Sequence, residues 1–180
     1  MKLLIVLSIG MFVFSCEKPL FKDDELSLPK QNFTSNQLKI NGYYYNEFSA
    51  SDNVVYIRNY FFYQNGVVLD GNAYKKNDLE DKEKSYKNGS YYINSKDTKY
   101  NWGIFVIEGT TIKFEKWHPS SGGPLRAYIE EGEVLNDTTF HISKSYRIQN
   151  ASKKDEKTRD RTFHFKALSP KPDSTNEFTH

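Results

Sequence analysis

The chain has 180 residues and a formal net charge of +2, from 25 Lys and Arg against 23 Asp and Glu. That balance leaves no electrostatic footprint for nucleic acid or an anionic surface, and a single cysteine excludes an intramolecular disulfide, so stability must come from a core of one-domain size. The unusual quantity is aromatic content, 13 Tyr and 13 Phe, residue types that favour strands with packed faces.

Lys2 precedes an apolar run from Leu3 to Phe14, which is too short for a hydrocarbon core needing about 20 residues. The charged residues that follow at once make residues 1–15 a secretory signal. Its end, Val13-Phe14-Ser15-Cys16, resembles the lipobox of bacterial lipoproteins, with Phe14 bulkier than the usual occupant. The resemblance implies cleavage before Cys16, diacylglyceryl modification and N-acylation of that residue, and a membrane partner reached through the acylated N-terminus. Acyl chains contribute about 0.8 kcal/mol per buried methylene, and stable anchoring takes more than one chain. Loss of Lys2 with the signal lowers the net charge from +2 to +1.

Residues 16–36 are polar and proline-punctuated without periodicity, which predicts a flexible tether; a chain beginning near Gln37 is then expected to fold as well as the mature one. Lys22-Asp23-Asp24-Glu25 is similar to the surface-export signals of Bacteroidota lipoproteins, though further from the cysteine, and as a charge run it also reads as solvated linker. The expected location is the cell envelope, anchored in the outer membrane on its periplasmic or surface face.

Residues 37–168 hold eight runs rich in β-branched and aromatic residues, starting at Leu38, Val54, Val67, Tyr100, Thr111, Leu125, Thr139 and Thr162. Turn signals separate them, the pattern of an all-β antiparallel domain that forms a barrel or two packed sheets. Asn65-Gly66 predicts a hairpin with positive φ at both central residues, and Gly109 and Asn136-Asp137 mark two more. Ile112, Phe114 and Lys116 share one face of the fifth run. In the seventh, Phe140, Ile142, Tyr146 and Ile148 share another. The second and fourth runs are apolar on both faces and are expected to lie under a cover. Asn77 to Lys87 has acids early, lysines late and Gly89 beyond, which predicts one short surface helix with Glu80–Lys84 and Glu83–Lys87 pairs. The run from Lys153 to Arg161 reads as a mixed-charge hairpin loop, and 169–180 as a disordered tail.

Gly42-Tyr43-Tyr44 on the first run resembles the Gly-x-Trp signature of the lipocalin or calycin class, with Tyr44 in place of Trp and Arg161 on the last strand as the residue to cover it. The string from NGYYY to GEVLNDTTF also resembles small uncharacterised lipoproteins of Bacteroidota, a likeness that brings no activity with it.

Chemistry-bearing residues are sparse. His118, His141, His164 and His180 have no metal-ligand spacing, although His141 and His164 fall on outward faces of runs that can be adjacent; no metal and no cofactor are expected. Glu130, Glu131 and Glu133 read as a solvated strand end rather than an acid pair, with only Glu131 and Glu133 on one face. With no nucleophile motif or phosphate-cradling loop, no catalytic residue is assigned and the protein is not expected to be an enzyme. The loop from His118 to Pro124 reads as a plain turn or as a gate at a barrel rim. Tyr44, Tyr60, Phe62, Trp102 and Trp117 are the candidate ligand-binding residues, for a small apolar or sugar ligand. The alternative is a filled barrel serving as a structural or protein-interaction subunit of an envelope assembly.

Overall fold

The computed structural model describes residues 22–50, 53–91, 97–119 and 121–180; the expected signal at residues 1–15 and Cys16 lie outside them. Eight strands run β1 Gly42–Ser49, β2 Val55–Phe62, β3 Val67–Lys75, β4 Trp102–Glu108, β5 Thr111–His118, β6 Arg126–Asn136, β7 Thr139–Gln149 and β8 Ser152–Ala167. Each pairs antiparallel with its neighbour in sequence, and β1 pairs with β8, closing the barrel. This is the expected all-β, calycin-like architecture, and closure removes every sheet edge along the paired lengths.

Alternation places two cores. Inside, Tyr44, Tyr60, Phe62, Val68, Phe105, Ile112, Phe114, Phe140, Ile142 and Phe163 form one cluster. Their rings meet at centroid distances such as 4.9 Å for Phe62–Phe105 and for Phe140–Phe163, pairs worth about 0.5–1.5 kcal/mol each beyond their burial. Outside, Tyr43, Phe61, Val67, Leu69 and Trp102 form a second cluster with Tyr86, Tyr91 and Leu168.

Helix α1, Leu79–Lys87, is the cover. Its one buried residue, Tyr86, sits edge-on to Phe61 at 5.0 Å and donates its hydroxyl to the Gly71 carbonyl. Only one apolar side chain is needed because the barrel supplies the rest of that core. The expected helical ion pairs are replaced by Lys84–Asp81 and by Glu83–Lys166 at 2.7 Å, the latter tying α1 to β8.

Three expectations are corrected. Asn65-Gly66 does lie in the β2–β3 hairpin, but only Gly66 has positive φ (78°), and Gly66 N–H donates to the Tyr63 carbonyl. The connection is therefore a three-residue loop with glycine in the left-handed position. In β7 the register slips between Ile142 and Lys144; the extra residue, Ser143, reverses the alternation, so Phe140 and Ile142 face in while Tyr146 turns outward onto Glu131. The charged run from Lys153 to Arg161 is not a loop. It belongs to β8, paired with β7 back to Gln149↔Ser152, and the turn is Asn150-Ala151, both at positive φ. That ribbon is solvated on both sides, so no apolar alternation marks it as strand.

Residues 22–41 and 168–180 carry no helix or strand, yet they pack on the barrel instead of standing free. Phe33 N–H donates to the Gln64 carbonyl, the Gln37 amide to Gly109, and Lys39 N–H to Asp137. The segment thus crosses one end of the barrel, bonded to all three hairpin turns there, with Leu38 buried in the inner cluster. We call this end the floor. At the other end, Ser27 and Leu28 N–H groups donate to the buried Glu115 carboxylate at 2.6 and 2.8 Å, and Asp24 meets Arg126, the Ala127 N–H and Arg147. In the C-terminal stretch Lys171 donates to the Ile40 and Phe62 carbonyls, and Phe178 packs on the outer cluster. The outward face of β5 is covered by these segments, with Glu115 and Trp117 both buried.

Candidate functional site

The five aromatic candidates do not converge. Tyr44 and Phe62 are locked in the floor-side plug, where Tyr44 contacts Phe62, Phe140 and Phe165 and donates its hydroxyl to the Asp137 carbonyl. Trp102 faces outward under the second core. Trp117 also faces outward, its ring under the Lys99 ammonium at 4.6 Å and its indole N–H on the Asp24 carbonyl. Tyr60 alone stands at the boundary between the plug and the other half of the barrel. The expected cover of Tyr44 is corrected too: Phe165 pairs with it across the β1–β8 seam, and Arg161 reaches Glu130 instead.

The mouth-side half is polar. Arg58 continues the inward face of Tyr60 and Phe62 on β2, Asp70 that of Val68 on β3, and Lys116 and His118 that of Ile112 and Phe114 on β5. Glu130 faces in from β6, opposite Phe114 in register, and Ser145 opposes it from β7. Lys116 pairs with Asp70 at 2.8 Å with both side chains under a tenth exposed, and Arg161 pairs with Glu130 at 3.2 Å. Glu130 is thus no solvated strand end, while Glu131 does face outward, to Lys144 and Tyr146.

The charges act on one another through the chamber. Burial pushes the His118 imidazole down to about 3, assisted by Lys116, Arg58 and Arg159 and opposed by Asp70, so the ring is neutral at physiological pH. Burial raises the Tyr60 hydroxyl far above its usual range, with Glu130 and Asp70 adding to the effect. Arg58 is raised by Tyr60, Asp70 and Glu130 against the cost of its own burial.

Several buried polar atoms here have no hydrogen-bond partner among the described residues: the Tyr60 hydroxyl, His118 Nε2, Glu130 Oε2, Ser145 Oγ and Arg159 Nε. Buried polar groups are ordinarily satisfied, and one left bare costs about 1–3 kcal/mol. Five such atoms on the mouth-side half of one barrel are open to polar atoms that the described residues do not supply.

The mouth-side half is split along one seam. β1 pairs with β8 only from Gly42↔Ala167 to Tyr45↔His164. Beyond the Asn46 amide bond to the Thr162 carbonyl, the strands separate as β8 follows β7 into the ribbon. The split is a cleft of about 330 Å³ lined by Asn46, Glu47, Phe48, Arg58, Asp160 and Arg161. Phe48 stacks on Tyr56 and lies under the Arg58 guanidinium at 6.0 Å. The loop after His118, where Pro119 and 121–125 are described, sits at the mouth rim, held by Asp23 to the Leu125 N–H.

His141 and His164 lie on adjacent strands, facing Thr162 and Thr139, with His141 on Asp160 at 3.0 Å. Among the described residues no group of three or more His, Cys, Asp or Glu is placed to hold a metal ion, and no helix is long and apolar enough to cross a membrane.

The sequence reading missed Arg58, Asp70, Lys116, Glu130 and Arg159 as a group. The legible signal was phase: Arg58 and Lys116 are charged residues at positions whose strand neighbours two apart are aromatic or aliphatic. No protein-family model, curated protein or solved structure matches the chain, so the candidate site rests on this geometry: a barrel half-filled by aromatics, half-lined by charge, and split open at one seam.

Proposed function

We propose that the protein is a lipid-anchored lipoprotein of the bacterial cell envelope whose barrel binds a small polar ligand without catalysing its conversion. The observation that carries the binding is the cleft at the β1–β8 split, lined by Arg58 and Arg161, on the same mouth-side half of the barrel as buried polar atoms that lack partners among the described residues. Of the two ligand chemistries expected from sequence, the sugar is favoured over the apolar one, because side chains already fill the apolar half. The anchor rests on the lipobox resemblance at Cys16 and on the polar residues that follow it.

A second reading, the filled barrel as an interaction subunit, is favoured by the packing of the floor half and its closure by Leu38. Thermal-shift titration of the purified protein against neutral and charged monosaccharides, with a fatty acid as apolar control, separates the two. A saturable rise in midpoint with a polar compound supports binding, and no response to any compound leaves the interaction subunit. For the anchor, Cys16→Ser is expected to move the protein from the detergent phase to the aqueous phase; unchanged partitioning would overturn it.

A further inference from the structure

We infer that the ligand is a hydroxylated small anion, a sugar carrying a carboxylate or phosphate, with its acidic group against Arg58 and Arg161 at the β1–β8 cleft and its hydroxyls directed to Glu130, Tyr60 and His118. The inference rests on the binding reading above and specifies its ligand class.

Charge is the first ground. Four cationic side chains, Arg58, Lys116, Arg159 and Arg161, belong to the mouth-side half; Glu47 and Asp160 stand at the cleft, and two carboxylates, Asp70 and Glu130, face inward. The ion pairs Lys116–Asp70 and Arg161–Glu130 use both carboxylates. Arg58 and Arg159 have no carboxylate oxygen within 4.0 Å among the described residues; Asp70, Glu130 and Tyr60 act on Arg58, but neither guanidinium is held in a direct ion pair. Of the two acids on the cleft lining, Asp160 is turned toward His141 and Glu47 pairs with Lys76 at 2.7 Å. An anion entering there meets planar donor groups suited to carboxylate or phosphate oxygens.

Hydrogen-bond inventory is the second ground, and it is independent of charge. Glu130 accepts from Arg161 through Oε1 and leaves Oε2 bare, an acceptor that only a donor such as a hydroxyl can satisfy. The Tyr60 hydroxyl, fully buried beside Arg58, both gives and accepts. The His118 ring keeps one nitrogen unprotonated at neutral pH and has Nε2 unpartnered. A plain anion satisfies none of the acceptors, and a neutral sugar leaves the guanidiniums as they are. A molecule bearing both kinds of group satisfies the set.

The test is titration calorimetry on the detergent-solubilised full-length protein with glucuronate, glucose 6-phosphate, glucose, acetate and inorganic phosphate. The expected result is that glucuronate or glucose 6-phosphate binds at least tenfold more tightly than glucose and than the matching simple anion, and whichever acidic sugar wins distinguishes carboxylate from phosphate. Arg58→Gln should weaken the winner tenfold or more and Tyr60→Phe about threefold, while glucose binding changes little with Arg58→Gln. If Arg58→Gln lowers the thermal midpoint too far to assay, Arg58→Lys keeps the charge but not the planar fork and should still weaken binding severalfold. Glucose binding as tightly as the acidic sugars, or an unchanged affinity in both Arg58 variants, overturns the anionic class while leaving a polar-ligand barrel standing. Acetate or phosphate binding as tightly as the sugars overturns the hydroxyl half. No heat with any of the five overturns this inference, and only the absence of a thermal shift across the wider panel would overturn the binding reading as well.

Discussion

Asp24 and Arg147, 123 positions apart in the chain, meet at 3.1 Å at the rim of the barrel, where the same carboxylate also takes Arg126 and the Ala127 N–H. Burial works against the Asp24 carboxylate, but these partners together hold it below the usual range. A residue that reads as part of a solvated linker is therefore a fastening of the domain.

Removal of that fastening is expected to show in stability. A chain beginning at Gln37 loses the Asp24 bonds, the Ser27 and Leu28 donors to Glu115, and the Phe33 ring that lies 5.5 Å from Phe105. Against the chain beginning at Lys22, its thermal midpoint should fall by roughly 10 °C, the shift that about 3 kcal/mol produces in a domain of this size. Equal midpoints would return residues 22–36 to the status of a tether.

Lys116 and Asp70 give a second expectation. Their 2.8 Å pair is almost fully buried, and Asp70 also accepts the Asn72 N–H. Lys116→Met leaves a carboxylate without its cation and should destabilise the domain by about 3–5 kcal/mol. Adding Asp70→Leu to it should recover part of that loss, because two apolar groups need no pairing. Urea melts of the single and double variants check the sign, and a double variant worse than the single would contradict it.

The pH dependence has a source in His118. Burial first, then the cations Lys116, Arg58 and Arg159, hold its folded-state value near 3 against 6.5 unfolded, with Asp70 opposing and the Tyr128 ring packed edge-on at 5.2 Å. Between those values the unfolded chain binds a proton that the native chain refuses, so this contribution is complete above about pH 6.5 and is lost as pH falls, by at most about 1.4 kcal/mol per unit. Denaturant midpoints between pH 7 and 4.5 should decline, and decline less in His118→Gln. Parallel curves for the two proteins would remove His118 from the explanation.

Gly66 tests the hairpin. Its φ of 78° suits glycine, and a Cβ there would meet the Gln31 carbonyl oxygen at 2.2 Å. Gly66→Val should lose about 1–3 kcal/mol from backbone strain and more from that contact. Asn tolerates the left-handed region but not the contact, so Gly66→Asn should be destabilising too. In a chain beginning at Gln37, where the Gln31 carbonyl is absent, Gly66→Asn should cost clearly less. Thermal melts of both backgrounds decide.

The eight strands and α1 were legible in the sequence because each rests on local physics: β-branched and aromatic runs, glycine and asparagine at turns, acids early and lysines late in one amphipathic stretch. Closure of β1 on β8, the split above Tyr45, and the meeting of Arg58, Asp70, Lys116, Glu130 and Arg161 were not, since these residues come from different strands and only register brings them together. A single added residue, Ser143, turned Tyr146 outward and Ser145 inward, and no composition or propensity records such a slip. The segment 22–41 misled for a related reason. Its side chains have no periodicity of their own, and their partners, Arg147 and Glu115, lie far along the chain. What the sequence determined was therefore the strands and the helix that apolar periodicity and turn residues mark locally; the tertiary structure decided which charges share one low-dielectric space, because that depends on distances between strands that only closure of the barrel sets.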